Sequence, residues 1–169
     1  MHRKAIVFFV FLLIDVHTGM GVQLSHSAAL ARLQGAGISL SSTGNCSNRN
    51  NRLCTSLENI RSETIDWLIH FKQTNNCPFV VTGGTETGHG RRTGVDSHWG
   101  GYKVDLRFNS CLNQFIERGS RTGQNSYFRY IGTSSYGPRY RSGSGAILLK
   151  ESNHWDALWP ANPVVNWGG

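Results

Sequence analysis

The sequence predicts one α+β domain, with N-terminal helices packed on a mainly antiparallel sheet. Three observations point there. The 169 residues suffice for one domain with a real core and are few for two. Helical periodicity is concentrated before residue 74. Short strand-like runs dominate the rest of the chain, and helices first with strands later is an α+β order.

The first segment is not part of that domain. His2, Arg3 and Lys4 precede ten apolar residues from Ala5 to Ile14, and Gly19 and Gly21 follow. A basic start, an apolar run and small residues near a cleavage point mark a secretory signal peptide. The apolar run is about half of the roughly 20 residues that span a bilayer, which disfavours a membrane anchor. The expected cut is after Gly21. Residues 22–169 are then a single secreted, extracellular domain with no transmembrane anchor.

Along that domain, Ser25 to Gln34 has a helical pattern with Ala28, Leu30 and Leu33 as apolar points, stopped by Gly35 and Gly37. Gly44 to Asn51 is a polar loop, and Asn45-Cys46-Ser47 forms a glycosylation sequon, meaningful in a eukaryote. Thr55 to Gln73 is the strongest helix pattern, with Ser56 or Ser62 as its cap and Leu57, Ile60, Ile65, Leu68 and Ile69 on one face. Phe79 to Thr82 reads as a buried strand and Gly83 to Gly94 as a glycine-rich wall of a site. A strand over Tyr102–Phe108 and a helix over Ser110–Arg118 come next. Tyr127–Ile131, Arg139–Arg141, Ala146–Lys150 and Trp155–Trp159 are further strands.

The four cysteines, Cys46, Cys54, Cys77 and Cys111, permit three pairings. An even count in an exported chain favours disulfides. Cys46–Cys54 would close a short polar loop, and Cys77–Cys111 would tie two distant core segments. No pair has the C-x-x-C spacing of a four-cysteine zinc site.

The formal charge is +7, carried mostly by scattered arginines. A basic exported protein suits an anionic polymer such as a bacterial cell wall, or a membrane surface. No basic stripe interleaved with aromatics stands out, so nucleic acid is not an expected partner.

Chemistry concentrates in two segments. Ser97-His98-Trp99-Gly100-Gly101-Tyr102-Lys103-Val104-Asp105 puts an imidazole and a carboxylate seven residues apart. On one straight strand they would face opposite ways, and the Gly100-Gly101 turn lets them converge. Glu151-Ser152-Asn153-His154-Trp155-Asp156 supplies a third metal ligand in His154 and a nearby general base in Glu151. Three ligands with an open position describe a catalytic zinc site, and the carboxylate completes the activation of water. Asp156 is the candidate to hydrogen-bond a ligand histidine. His70 has no role in this reading.

The H-x-x-x-x-x-x-D and E-x-x-H pair resembles the zinc D-alanyl-D-alanine carboxypeptidases and dipeptidases and the related L-alanyl-D-glutamate endopeptidases, whose fold Hedgehog signalling domains share. Val80-Val81-Thr82-Gly83-Gly84, the loop to His89, Ser97-His98-Trp99, Gly101-Tyr102-Lys103-Val104-Asp105 and His154-Trp155-Asp156 resemble a branch of small secreted proteins of this type. The resemblance spans roughly Cys46 to Leu158. It implies a Hedgehog/DD-peptidase-like fold, one zinc ion on His98, Asp105 and His154, Glu151 as catalytic base, and peptidoglycan stem peptides as substrate.

The family's arginine is missing. Thr82-Gly83-Gly84-Thr85 occupies its segment, which leaves Glu86, His89, Arg91 or Arg92 to serve from the same loop. Lys103 also stands where a small residue is common. Glu86, His89, Ser97, Trp99 and Trp155 are the substrate-facing candidates, with core packing the rival role for the tryptophans. The alternative function is a non-catalytic peptidoglycan-binding module with a structural or vestigial zinc site.

Overall fold

A computed structural model describes residues 21–89 and 94–163. The expected signal segment, apart from Gly21, lies outside the described residues, as do Arg91 and Arg92. No helix among the described residues is long and apolar enough to cross a membrane.

The fold is mixed α+β. In chain order the elements are β1 (Gln23–Leu24), α1 (His26–Gly35), β2 (Ile38–Leu40), β3 (Ile60–Arg61), α2 (Ser62–Gln73), β4 (Phe79–Gly83), β5 (Lys103–Arg107), α3 (Ser110–Glu117), β6 (Phe128–Ser134), β7 (Gly137–Ser142), β8 (Ile147–Lys150) and β9 (His154–Leu158). Seven strands form one sheet in the order β2-β4-β5-β9-β8-β7-β6. β2 runs parallel to β4, and every other neighbour in this sheet is antiparallel. β1 and β3 form a separate small antiparallel ribbon.

Two expectations need correction. Helices do not all precede strands, because α3 sits between β5 and β6 and β2 follows α1. The long helix begins at Ser62, not Thr55. Residues 55–59 send their backbone donors elsewhere: Thr55 to Ser42 Oγ, Ser56 to Glu86 and Leu57 to His26 Nδ1. Asn59 has φ of 62°, which no helix accepts. Neither Ser56 nor Ser62 caps α2; Arg61 precedes it without a side-chain cap. By contrast, Ser25 caps α1 by accepting from the Ala28 backbone N–H.

The sheet has two unlike faces. Val104 and Leu106 of β5, Trp155 and Ala157 of β9, Leu148 of β8, Tyr140 of β7 and Phe128 of β6 enter one buried core. Ala29 and Leu33 of α1, Ile65, Leu68 and Phe71 of α2, and Leu112 and Ile116 of α3 fill the same core. Phe71 is its aromatic hub, 4.9 Å from Phe79 and 5.4 Å from Phe128 between ring centres. The residues between these, Asp105 and Lys103 on β5 with His154 and Asp156 on β9, point to the opposite face. The disulfides are Cys46–Cys54 and Cys77–Cys111, as the spacing favoured. The second joins the segment before β4 to α3 beneath the sheet.

Candidate metal centre

Asp105 is the centre of the site. It lies on β5 with Asp156 of β9 on one side and Gly83 of β4 on the other. A side chain at residue 83 would put Cβ 2.2 Å from Asp105 Oδ2 and 2.8 Å from the His89 ring, so only glycine fits there. His98 arrives from the loop before β5. That loop is closed by Gly101 N–H donating to His98 O and Tyr102 N–H donating to Ser97 O. Gly101 has φ of +83° and lies against the backbone of Asn59–Arg61, which leaves no room for a Cβ. The Gly100-Gly101 turn therefore makes the convergence the spacing required. His154 opens β9 after a tight turn in which Glu151 N–H donates to His154 O.

Three imidazoles face one carboxylate. His98 Nε2 is 3.2 Å and His154 Nε2 is 3.3 Å from Asp105 Oδ1. His89 Nδ1 is 3.3 Å from Oδ2. The far nitrogen of each ring is already engaged. His98 Nδ1 donates to Gly84 O at 2.7 Å, His154 Nδ1 to Asn153 Oδ1 at 2.6 Å and His89 Nε2 to Glu86 Oε1 at 2.7 Å. A carbonyl or carboxylate oxygen only accepts, so in each neutral ring the lone pair sits on the nitrogen facing Asp105. Asp105 Oδ1 is buried and has no hydrogen-bond partner among the described residues. Lone pairs gathered around an orphaned carboxylate oxygen are the donor set of a cation, and the outer hydrogen bonds are those that orient metal-binding histidines. His89, His98 and Asp105 offer ligand atoms within 4.8 Å of one another, so these residues suit a metal ion.

In the metal-free chain the electrostatics favour protons where a metal would stand. Burial pushes the Asp105 carboxyl up, but His154 and His98 overcome that and hold it well below the usual carboxylate range. The His154 imidazole is raised by Asp105 against the effect of burial. Burial lowers His89, and contact with Glu86 and the charge of Asp105 reverse this, leaving it raised. Burial likewise raises Glu86, while His89 and the N–H groups of Ser56 and Gly84 bring it below its ordinary value.

The centre opens into a cleft of about 690 Å³ lined by His89, Ser97, His98, Lys103, Asp105, Glu151, His154 and Asp156, with Val95, Tyr136 and Leu149 as apolar walls. Glu151 Oε2 is 3.7 Å from His154 Nε2, at the cleft and partly exposed.

The other expected site residues divide. Glu86 is not a substrate contact: it is buried, and its carboxylate accepts from Ser56 N, Gly84 N and His89. Ser97 is buried at the cleft, where it donates to Gly94 O and accepts from Gly100 N–H. Trp99 is half-buried with the Arg49 guanidinium 3.7 Å over its ring, away from the cleft lining. Trp155 is on the core face, fully buried, and donates to Asn113, so it is no substrate wall. Alternation along β9 decides this, since the neighbour of an outward His154 must point inward. Asp156 does not hydrogen-bond a ligand histidine. Its Oδ2 takes Lys103 Nζ at 2.8 Å and stays 3.9 Å from His98 Nε2.

Sequence reasoning placed His89 in the loop as a substrate contact and did not bring it to Asp105. The available signal was Glu86-Thr87-Gly88-His89, a carboxylate three residues before an imidazole across a glycine with φ of +113°. The chain matches no protein-family model, no curated protein and no solved structure.

Proposed function

We propose that this chain is an exported zinc-dependent hydrolase of amide bonds, with a Hedgehog/DD-peptidase-like architecture. Peptidoglycan stem peptides are the substrate class its sequence resemblance implies. One observation carries the reading: three imidazoles, each tied by its far nitrogen, turn their near nitrogens to Asp105 at a cleft, and Asp105 Oδ1 has no hydrogen-bond partner among the described residues. His98, Asp105 and His154 are the proposed zinc ligands, because both histidines approach the same oxygen, Oδ1, on the side where Glu151 stands. Two disulfides accord with an oxidising compartment.

Zinc bound there supplies a Lewis acid that polarises a carbonyl and acidifies water. Glu151 is the proton carrier. Its carboxylate takes a proton as water oxygen bonds to the carbonyl carbon, then delivers it to the amide nitrogen as the C–N bond breaks. His89 holds Asp105 through Oδ2 and is the cationic candidate, among the described residues of its loop, for the missing arginine's place.

The expected result is release of new amino groups from purified peptidoglycan, lost with chelator and restored by zinc. Glu151→Gln should keep one zinc per chain and lose cleavage. Retained turnover in that variant removes Glu151 from the mechanism, and absence of zinc uptake by the native chain removes the metal reading.

A second reading has its own observation. His89, His98 and Asp105 offer ligand atoms within 4.8 Å of one another, and if His154 joins them four protein ligands close the coordination shell, the mark of a structural zinc site. The cleft would then bind cell-wall peptide without cutting it. His89→Ala separates the two: zinc held as tightly as in the native chain supports the open site, and zinc lost supports the closed one.

A further inference from the structure

The face of the sheet that carries the metal centre does not end at β9. The register extends one row from Asp105 to Asp156, Leu149 and Arg139 across β5, β9, β8 and β7. The adjacent row runs from Lys103 through Leu158, Ile147 and Arg141 to Arg129 on β6. Residues paired in register share a face. The surface therefore passes from the metal-binding groups, over apolar Leu149, Ile147 and Leu158, to a set of arginines.

Those arginines are placed at a cost. Arg129 and Arg141 stand directly opposite each other on β6 and β7, where like charges repel. Among the described residues the ion pairs of lysine and arginine are Arg32–Asp66, Lys103–Asp156 and Lys150–Glu117, and neither Arg139 nor Arg141 takes part in one. Arg139 is exposed. Arg141 Nε is buried and has no hydrogen-bond partner among the described residues. Two buried side-chain polar atoms lack partners among the described residues, Asp105 Oδ1 and Arg141 Nε, and both belong to this one face. The first suits a cation. The second is a donor waiting for an anion, and an unmade hydrogen bond of this kind is costly to keep.

We propose that Arg139 and Arg141 form a subsite for a carboxylate on the peptide whose amide lies at the metal centre. This rests on the hydrolase reading above. Strands lie about 4.8 Å apart, so Arg139 is roughly 14 Å from Asp105, across three strand spacings. An extended peptide advances about 3.4 Å per residue, which puts the recognised carboxylate about four residues from the scissile bond. The apolar strip over Leu149, which lines the cleft, suits small side chains between the two points. That floor favours a peptide over a phosphate polymer, which would bring charge along its whole length.

The test uses the zinc-loaded Glu151→Gln chain, so that peptide survives, and four pentapeptides. Two are pentaalanines with one terminal residue, first or last, replaced by glutamate. The other two carry glutamine at those positions. One glutamate peptide should bind at least tenfold tighter than its glutamine partner at low salt. In the Arg139→Gln/Arg141→Gln double variant that advantage should fall within twofold, with zinc content unchanged. Arg139→Glu, a change at an exposed position, should by itself lower the advantage at least threefold. Equal binding of both peptide pairs, or an advantage that survives the double variant, overturns the subsite. Inorganic phosphate competing as well as the glutamate peptide also overturns it, since that would mark a simple anion site. A native chain that takes up zinc and cleaves, yet treats both pairs alike, loses this inference and keeps the hydrolase reading. A glutamate preference in a chain that binds no zinc keeps the subsite and loses the hydrolase.

Discussion

The two faces of β5 and β9 are made from alternating residues of the same ten positions, and they are stabilised in opposite ways. Val104, Leu106, Trp155 and Ala157 are fully buried among apolar neighbours. Each gains by leaving water, and of the four only Trp155 has a polar group to satisfy, its indole N–H donating to Asn113. Asp105, His154 and Asp156 face the other way, where burial is a cost that only specific partners offset. Among the described residues Asp105 Oδ1 has no hydrogen-bond partner. The comparison separates residues that hold the sheet together from residues the sheet holds in place. It also marks the candidate site, because departures from local satisfaction concentrate at functional positions.

The largest break in the comparison is Trp155→Ala. This side chain is fully buried, contacts the Tyr140 and Phe108 rings, and donates to Asn113. Its removal should cost about 3–5 kcal/mol of unfolding free energy. Chemical denaturation checks this, and the zinc content of the molecules that remain folded should stay at the native level. A loss of zinc without a loss of stability would put Trp155 in the site after all.

Gly83→Ala should do the reverse. A Cβ there meets Asp105 Oδ2 at 2.2 Å and the His89 ring at 2.8 Å, and both belong to the site. The carboxylate must turn or the strand must shift. Zinc affinity, measured by competition with a chromophoric chelator, should fall at least tenfold, about 1.4 kcal/mol. Metal-free stability should change by less than the tryptophan substitution changes it. Unaltered zinc affinity would mean that Asp105 binds no metal through this geometry.

This contrast also explains which parts of the molecule were legible beforehand. Strand β5 could be read because apolar residues alternate along Tyr102–Phe108, β4 because Phe79 to Val81 is a short apolar run, and Cys77 and Cys111 because an even cysteine count in an exported chain implies pairing. His98, Asp105 and His154 could be read because glycines between the first two supply a turn. The start of α2 could not. Thr55 to Ile60 keeps a helical apolar spacing, but Glu86, thirty residues on, captures the Ser56 N–H, and His26 captures that of Leu57. Local periodicity carries no information about such distant competitors. β2 escaped notice because Ile38-Ser39-Leu40 is only three residues long and becomes a strand by pairing with β4. His89 was misplaced for the same reason: its partner Asp105 is sixteen residues away, and the Glu86 that aims it is itself fixed by Ser56.

Acid and alkali give the finest version of the comparison. The core face carries nothing that titrates near neutrality, so the pH dependence contributed by these two strands belongs to the site. Asp105 is depressed in the folded chain, so its contribution is present above the ordinary carboxyl value near 3.9 and is lost as pH falls through its folded value. His154 and His89 are raised, so theirs is complete below about 6.5 and is lost as pH climbs through their folded values. Chelator-treated protein should therefore be most stable to heat between about pH 4 and 6.5, and less so at pH 8. Zinc demands that the histidines give up those same protons, so the rise in melting temperature on adding zinc should be greater at pH 8 than at pH 5. Asp105→Asn should remove the zinc effect and shrink the metal-free slope to the part that Glu86 maintains on His89, since this carboxylate is the main cause of the His154 shift and completes the ligand set. If the metal-free slope survives that substitution undiminished, His154 draws its charge from elsewhere. If the zinc effect survives it, the metal sits on some other group, and the outward face of β5 and β9 is only a polar surface.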